Sequence, residues 1–293
     1  MIPVWIILAL SAAALIGFSH VADKAILNQY LKPKEFVMIY IFRILFIIPL
    51  LFFVKISFDP VKSTFFFFLG ILFTLAVSVF AKTLNEEEVS RVAPTLGTSP
   101  LIVMILSAIF FNEIFTTKIY IGIVMVTFGV LLMSYHLKEH KFNIKTECRA
   151  FSGATLYAII VILIKYFVTP ETIPILFFWF LIGSSASAGI FWLSKKDSQQ
   201  IWEKFKHRNL IILLIATHIC TVLSYFANIG AITLGPATLA TTLYATTPFF
   251  VLIFATFSSI FFKKYMHEDV SRFTIIQKII AIAIVLSGIT LVI

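Results

Sequence analysis

Apolar residues run along this chain in long blocks, and short polar segments separate one block from the next. A helix that crosses the hydrocarbon core of a membrane needs about 20 mainly apolar residues. The pattern predicts an all-α fold with ten transmembrane helices, numbered here as spans 1 to 10. The predicted spans cover residues 2–22, 36–54, 64–81, 89–111, 119–137, 150–168, 173–193, 210–234, 236–262 and 273–293.

Composition supports a membrane protein and excludes several other classes. Hydrophobic residues make up 60% of the 293 residues and charged residues 13%, and 33 residues are Phe. A soluble protein of this length could not bury so much apolar surface. The net charge of +9 resides mostly in short loops, where it sets topology and contacts lipid headgroups. We therefore expect the lipid bilayer as a partner and no nucleic acid, with a multi-pass location in the cell membrane.

Charged residues lie mainly between the spans. All 14 acidic residues fall in predicted loops or at span ends, Asp23 among them, so we expect no carboxylate at the membrane centre. Seventeen of the 23 Lys and Arg residues lie in the loops after odd-numbered spans, and three lie in the alternate loops. By the positive-inside rule, this asymmetry predicts that both termini lie outside the cell.

An internal repeat divides the chain into two units of five spans. Pro100 in span 4 and Pro248 in span 9 are 148 residues apart, and each follows hydroxylated residues. Lys24 and Lys165 are separated by 141 residues. We assign the repeats to residues 1–137 and 150–293, joined by a loop at 138–149. Because each unit has an odd number of spans, the second must be inverted relative to the first, as in many secondary transporters.

These features resemble the EamA-type transporters of the drug/metabolite transporter superfamily. The resemblance rests on Arg43 in span 2, the Pro-containing start of span 4 (residues 93–100), Asn112-Glu113 after span 4, and Gly122 and Gly129 in span 5. It implies two five-helix repeats and export of small metabolites, with a cavity lined by spans 1, 3, 4, 6, 8 and 9. Two features depart from the family. Its members usually keep both termini in the cytoplasm, and Phe262-Lys263-Lys264 follows span 9 in place of an acidic cap.

Three basic side chains are candidates for the transport site. Arg43 can bind a substrate carboxylate or phosphate, or it can pair helices within the bundle. Lys165, close to the end of span 6, is either a second anion contact or a snorkelling lysine. His218, in the middle of span 8, can carry a coupling proton, bind the substrate or bond a neighbouring helix.

Polar residues of spans 4, 8 and 9 form a second group of candidates. Within a membrane such side chains face protein or water, so they line a cavity or join helices. The proposed lining residues are Thr95, Thr98, Ser99, Tyr225, Asn228, Tyr244, Thr246 and Thr247. Pro100 and Pro248 interrupt their helices and are candidates either for gating kinks or for packing.

The sequence therefore predicts a secondary transporter, most plausibly an exporter, that moves a small polar metabolite such as an amino acid by alternating access. A multidrug exporter and a nucleotide-sugar or sugar-phosphate exchanger are the alternatives within transport. An integral membrane lipid enzyme is the alternative from another class. The chain contains no enzyme or nucleotide-binding motif. Cys148 and Cys220 lack metal-ligand spacing, so we expect no enzyme activity, cofactor or metal.

Overall fold

The structure, a computed structural model, describes residues 3–48, 51, 59–86, 98–134, 144–193, 195–261 and 272–293. All regular secondary structure in these residues is helical, which confirms the all-α prediction. The α-helices are α1 Val4–Gln29, α2 Pro33–Met38, α3 Pro60–Glu86, α4 Ser99–Phe111, α5 Thr117–Ser134, α6 Ile144–Phe167, α7 Ile173–Ile190, α8 Lys195–Lys204, α9 Arg208–Leu234, α10 Ala237–Tyr244, α11 Thr247–Phe261 and α12 Arg272–Val292. Three 3-10 segments cover Ile39–Phe46, Pro170–Thr172 and Phe191–Leu193.

The helices have the length and composition of an integral membrane protein. Within the described residues, five helical segments are long and apolar enough to cross a membrane: Val4–Gln29, Pro60–Asn85, Pro170–Leu193, Arg208–Leu234 and Ala237–Phe257. Four shorter apolar helices accompany them: Ser99–Phe111, Thr117–Leu132, Phe151–Phe167 and Ile279–Val292. The arrangement of ten spans in two inverted repeats remains a prediction.

Glycines bring two helices into backbone contact at the pair α3 and α7. A Cβ atom built on Gly70 would lie 2.2 Å from the carbonyl oxygen of Phe180, and one on Gly183 would lie 2.0 Å from that of Phe67. Beside them, the Thr74 hydroxyl lies within hydrogen-bond distance of both the hydroxyl (3.1 Å) and the carbonyl oxygen (3.3 Å) of Ser184. Any larger side chain at either glycine would separate the helices, so this contact fixes their spacing.

A second glycine contact joins α5 to α12. A Cβ atom on Gly122 would lie 2.8 Å from the carbonyl oxygen of Gly288, and the reverse distance is also 2.8 Å. Further along, Gly129 lies against Val285 and the carbonyl oxygen of Ala281. Side chains on the other faces of this pair, such as Val124, Phe128, Ile279 and Leu286, are exposed. The pair therefore presents an apolar outer surface suited to lipid.

Two predicted segments differ from the structure. Span 2 is not a continuous α-helix, because α2 passes into the 3-10 segment Ile39–Phe46. The segment after α7, predicted as a loop, contains the polar helix α8. Its Lys204 side chain forms an ion pair with Glu35, at 2.6 Å between Nζ and Oε2. This pair attaches α8 to the start of α2.

Span 9 is broken into two helices, α10 and α11, at Ala245 and Thr246. The hydroxyls of Thr246 and Thr247 donate to the carbonyl oxygens of Leu243 and Tyr244, both at 2.7 Å, and so satisfy groups freed at the break. Pro248 is the second residue of α11, and Pro100 is the second residue of α4. Each proline therefore lies in the first turn of a helix, where its missing N–H costs no hydrogen bond. Whether the two prolines act in gating or only in packing stays a prediction.

Candidate functional site

A central cavity lies among α1, the 3-10 segment after α2, α3, α6, α9 and the break between α10 and α11, with Ser99 of α4 at its edge. It offers about 110 Å³ of space to the centres of water-sized molecules, whereas a single water needs only about 10–15 Å³ on that measure. The cavity therefore has room for a small metabolite. Its polar lining residues are His20, Asp23, Tyr40, Thr83, Ser99, Tyr157, Thr221, Tyr225, Tyr244 and Thr247.

Aromatic rings form much of the cavity wall. Tyr157 and Tyr244 stack with ring centroids 5.7 Å apart and an angle of 22° between the planes. Phe73 packs edge-to-face against Tyr225, with a centroid distance of 4.8 Å. Phe80 continues this wall and packs against the ring of His20 at 4.7 Å. The flat faces of such rings can pack against the apolar part of a bound molecule, and their negative electrostatic potential can attract a cation.

Arg43 lies behind this wall rather than on the cavity surface. Its guanidinium carbon lies 3.6 Å from the ring centroid of Tyr40 and 5.7 Å from those of Phe73 and Tyr225. The side chain is buried, and Nε and Nη1 find no hydrogen-bond partner among the described residues. The three rings hold the cation through cation–π contacts. Each of these rings also lines the cavity, so one aromatic layer separates Arg43 from a bound molecule.

Asp23 is a lining residue that the sequence analysis placed outside the membrane. Helix α1 does not end at residue 22 but continues to Gln29, so Asp23 lies within it and is only 6% exposed. It interacts electrostatically with Arg43. The prediction that Asp23 lies at or beyond the end of its helix was therefore wrong, whereas the absence of a carboxylate from the membrane centre stays a prediction. His20, one turn earlier, also lines the cavity.

The structure brings some of the predicted residues to the cavity. Ser99, Tyr225, Tyr244, Thr247 and Pro248 line it directly. Asn228 lies just behind the wall, where its side-chain amide donates to the hydroxyl of Tyr157 at 2.8 Å. Thr95 falls outside the described residues.

The remaining predicted residues do not line the cavity. Thr246 is buried, with its hydroxyl bonded to Leu243 as described above. His218 is buried beside Tyr40, with ring centroids 5.8 Å apart, and its Nε2 has no hydrogen-bond partner in the described part of the chain. Thr98 and Pro100 lie at the start of α4 without reaching the lining. Lys165 lies at one end of the bundle.

A polar cluster joins the helix ends at that end, called here the first face. Both carboxylate oxygens of Glu113 cap the start of α10: Oε1 accepts from the Ala237 N–H at 2.9 Å, and Oε2 accepts from the N–H and hydroxyl of Thr238 at 3.2 and 2.9 Å. The ammonium of Lys165 donates to the carbonyl oxygen of Gly235 at 2.8 Å. The Trp5 ring lies directly against Gly235. These contacts tie α1, α4 and α6 to the turn between α9 and α10.

The opposite end of the bundle, the second face, has a related contact. The ammonium of Lys24 donates to the carbonyl oxygen of Leu84, in the last turn of α3, at 2.7 Å. Lys165 bonds the carbonyl at the end of α9 in the same way. The last carbonyls of a helix lack partners within the helix, and each lysine satisfies one of them. Thr83, next to Leu84, lines the cavity, which extends from the middle of the bundle toward this face.

Comparison with known proteins supports a transporter. Residues 3–135 match the EamA-like transporter family, which confirms the resemblance for the first half of the chain. A solved crystal structure aligns with 96% of this chain and 96% of its own, at 14% identity and a TM-score of 0.65. This likeness supports the fold alone. No curated protein matches the chain. Residues 3–135 are therefore similar to membrane transporters of the EamA-like family, and the apolar helices indicate an integral membrane protein.

Proposed function

We propose that this membrane protein, whose residues 3–135 match the EamA-like transporter family, is a secondary transporter that exports a small polar metabolite, such as an amino acid, by alternating access. The substrate binds in the central cavity, and the two five-helix units rearrange to expose that cavity to each side of the membrane in turn.

The observation that carries the proposal is the position of the cavity relative to the two predicted repeats. Its lining comes from α1 and α3 of the first unit and from α6, α9, α10 and α11 of the second. It extends toward the second face, while Glu113 and Lys165 join helix ends at the first face. Such an arrangement is expected for one of the two end states of an alternating-access cycle.

Paired contacts support the inverted repeat of residues 1–137 and 150–293. Lys24 and Lys165, equivalent in the two units, bond carbonyls at the ends of α3 and α9 at opposite faces. Pro100 and Pro248 are both the second residue of a helix. Under this proposal, the start of α4 flexes when the first unit opens, and the start of α11 flexes when the second unit opens. Pro100 and Pro248 determine where these two helices begin.

A second candidate, a multidrug exporter of lipophilic cations, gains support from Asp23. A buried carboxylate can bind a lipophilic cation, and Asp23 is a buried carboxyl group in the cavity lining. A sugar-phosphate exchanger has less support, since no Lys or Arg is among the described lining residues.

Purified protein reconstituted in proteoliposomes tests the proposal. We expect uptake or counterflow of at least one amino acid from a panel that also contains sugar phosphates and lipophilic cations. A pH gradient, applied in both directions, tests a coupling proton, with His218→Gln as the variant of the proposed carrier. Protein-free liposomes provide the control. Movement of sugar phosphates alone, or of no solute although the protein is folded, would contradict the proposed function.

A further inference from the structure

The Asp23 carboxyl group is buried and lines the cavity, and the described residues offer it no direct hydrogen-bond or ion-pair partner. No described residue donates a hydrogen bond to it, and no Lys or Arg in the described part of the chain forms an ion pair with it within 4.0 Å. Its electrostatic partner, Arg43, acts from behind the aromatic wall. A carboxylate in such an apolar site is costly unless a cation or a set of donors approaches it. Such a cation or donor can approach Asp23 from the cavity.

The walls of the cavity favour a cation at the same place. Tyr40, Phe73 and Tyr225 contact the Arg43 guanidinium and also line the cavity, and aromatic faces of this kind attract positive charge. Tyr157 and Tyr244 provide a stacked aromatic surface in the same cavity. Hydrogen-bond acceptors and aromatic faces thus surround a space that contains one carboxylate and no described lysine or arginine.

We infer that Asp23 binds the cationic amine of the transported substrate, with the aromatic wall around the substrate's apolar body. This inference rests on the proposed transport function and narrows its substrate class to amines. Two kinds of molecule carry such a cationic amine. One is a zwitterion, whose negative carboxylate would be attracted by the positive charge of Arg43 behind the aromatic wall. The other is an organic cation without a carboxylate. An acid that lacks the amine does not fit, because it places a second negative charge beside Asp23.

Three probes with the same phenyl body separate these chemistries. Phenylalanine has both the amine and the carboxylate, phenethylamine has the amine alone, and 3-phenylpropionate has the carboxylate alone. Binding to the full-length protein in detergent, measured by calorimetry, is expected for one or both amines and not for 3-phenylpropionate. A preference for phenylalanine over phenethylamine identifies a zwitterion site, and the opposite preference identifies an organic-cation site.

The variant Asp23→Asn keeps the shape of the side chain and removes its charge. A hydrogen bond to a charged group contributes about 1.5–3 kcal/mol, so amine affinity should fall about 10- to 100-fold. Asp23→Glu should retain part of the affinity, and Glu203→Gln, which removes an exposed carboxylate on α8, should have no effect. Unchanged amine affinity in folded Asp23→Asn, or equal binding of 3-phenylpropionate, would overturn the inference.

A measurement on the unmodified protein covers the case in which the variant does not fold. Dicyclohexylcarbodiimide labels buried carboxylates, and mass spectrometry locates the labelled residue. We expect phenethylamine or phenylalanine, but not 3-phenylpropionate, to slow labelling of Asp23. Absence of protection by both amines at saturating concentration refutes the inference. Binding that depends on Asp23 without transport in proteoliposomes would refute the proposed function alone, so the two failures are distinguishable.

Discussion

Removal of the Glu113 carboxylate should open the first face of the bundle. Glu113 accepts three hydrogen bonds from Ala237 and Thr238 at the start of α10. Loss of a helix N-cap costs about 1 kcal/mol, and loss of a negative charge at a helix N-terminus costs up to about 1 kcal/mol more. For Glu113→Ala the sum is about 2 kcal/mol. If these bonds form only in the state closed at the first face, the open fraction should rise about 30-fold.

A buried cysteine reports the opening. Thr241, one turn after Ala237 in α10, is fully buried, and Thr241→Cys changes its volume little. In a background with Cys148→Ser and Cys220→Ala, a membrane-impermeant thiol reagent applied at the first face should react about 30-fold faster in Glu113→Ala. Glu113→Gln, which keeps one acceptor oxygen, should give a smaller increase.

Glu171→Gln is the matched control. Glu171 lies in the 3-10 segment after α6, near the same end of that helix as Lys165, and it is exposed. Its substitution removes the same charge without removing a cap, so labelling should not change. Labelling of Glu113→Ala at the wild-type rate would refute the reasoning, as would an equal rise in Glu171→Gln.

Four further outcomes are expected. Gly183→Ala should lower the melting temperature markedly or prevent folding, because the added Cβ would clash with the backbone oxygen of Phe67. Gly189→Ala should be tolerated, because its Cβ would lie 3.5 Å from the nearest atom. Fluorescence-detected size exclusion compares the folding of the two variants. Arg43→Gln should weaken transport of substrates with a carboxylate, because it removes the positive charge behind the aromatic wall, whereas Arg43→Lys, which keeps that charge, should weaken it less; unchanged uptake kinetics in Arg43→Gln would exclude a role in substrate recognition. Pro248→Ala should leave a folded protein, because position 2 of a helix tolerates either residue, while the proteoliposome turnover changes; an unchanged turnover leaves only packing. A cysteine at Lys206 should resist impermeant reagent applied outside intact cells, because the cation asymmetry places this loop inside; rapid labelling would reverse the topology.

The sequence was most informative where hydrophobicity alone decides the structure. Long apolar blocks predicted an all-α membrane protein, and the structure confirms helices throughout the described residues. Gly122 and Gly129 of span 5 pointed only to a family resemblance in the sequence. The structure shows that Gly122 lies against Gly288. Hydrophobicity does not report backbone geometry within a block. The 3-10 segment Ile39–Phe46 consists of residues as apolar as those of an α-helix, so nothing in the pattern distinguished it.

The site was only partly predictable, because the charge of a residue at the end of an apolar block does not show whether its side chain is buried in the folded protein. Asp23 followed the last apolar residue of span 1 and was therefore placed in water. A signal was present, since Ile16, His20, Asp23 and Leu27 recur at intervals of four and three residues, the spacing of one helix face. Arg43 was a candidate either for substrate binding or for pairing helices, and the sequence could not decide between them. The rings that cover it come from distant parts of the chain, Phe73 and Tyr225 among them. Contacts of this kind depend on the tertiary arrangement.

The 3-10 geometry of Ile39–Phe46 makes the direction of the Arg43 side chain adjustable. A 3-10 helix advances about 2.0 Å and 120° per residue, and an α-helix advances about 1.5 Å and 100°. Rewinding these eight residues to α-helix would shorten the segment by about 4 Å. Arg43 is four residues after the start of the segment and would rotate by about 80° relative to it. A change of about 4 Å in the length of this segment would therefore be coupled to a rotation of about 80° in the direction of the Arg43 side chain.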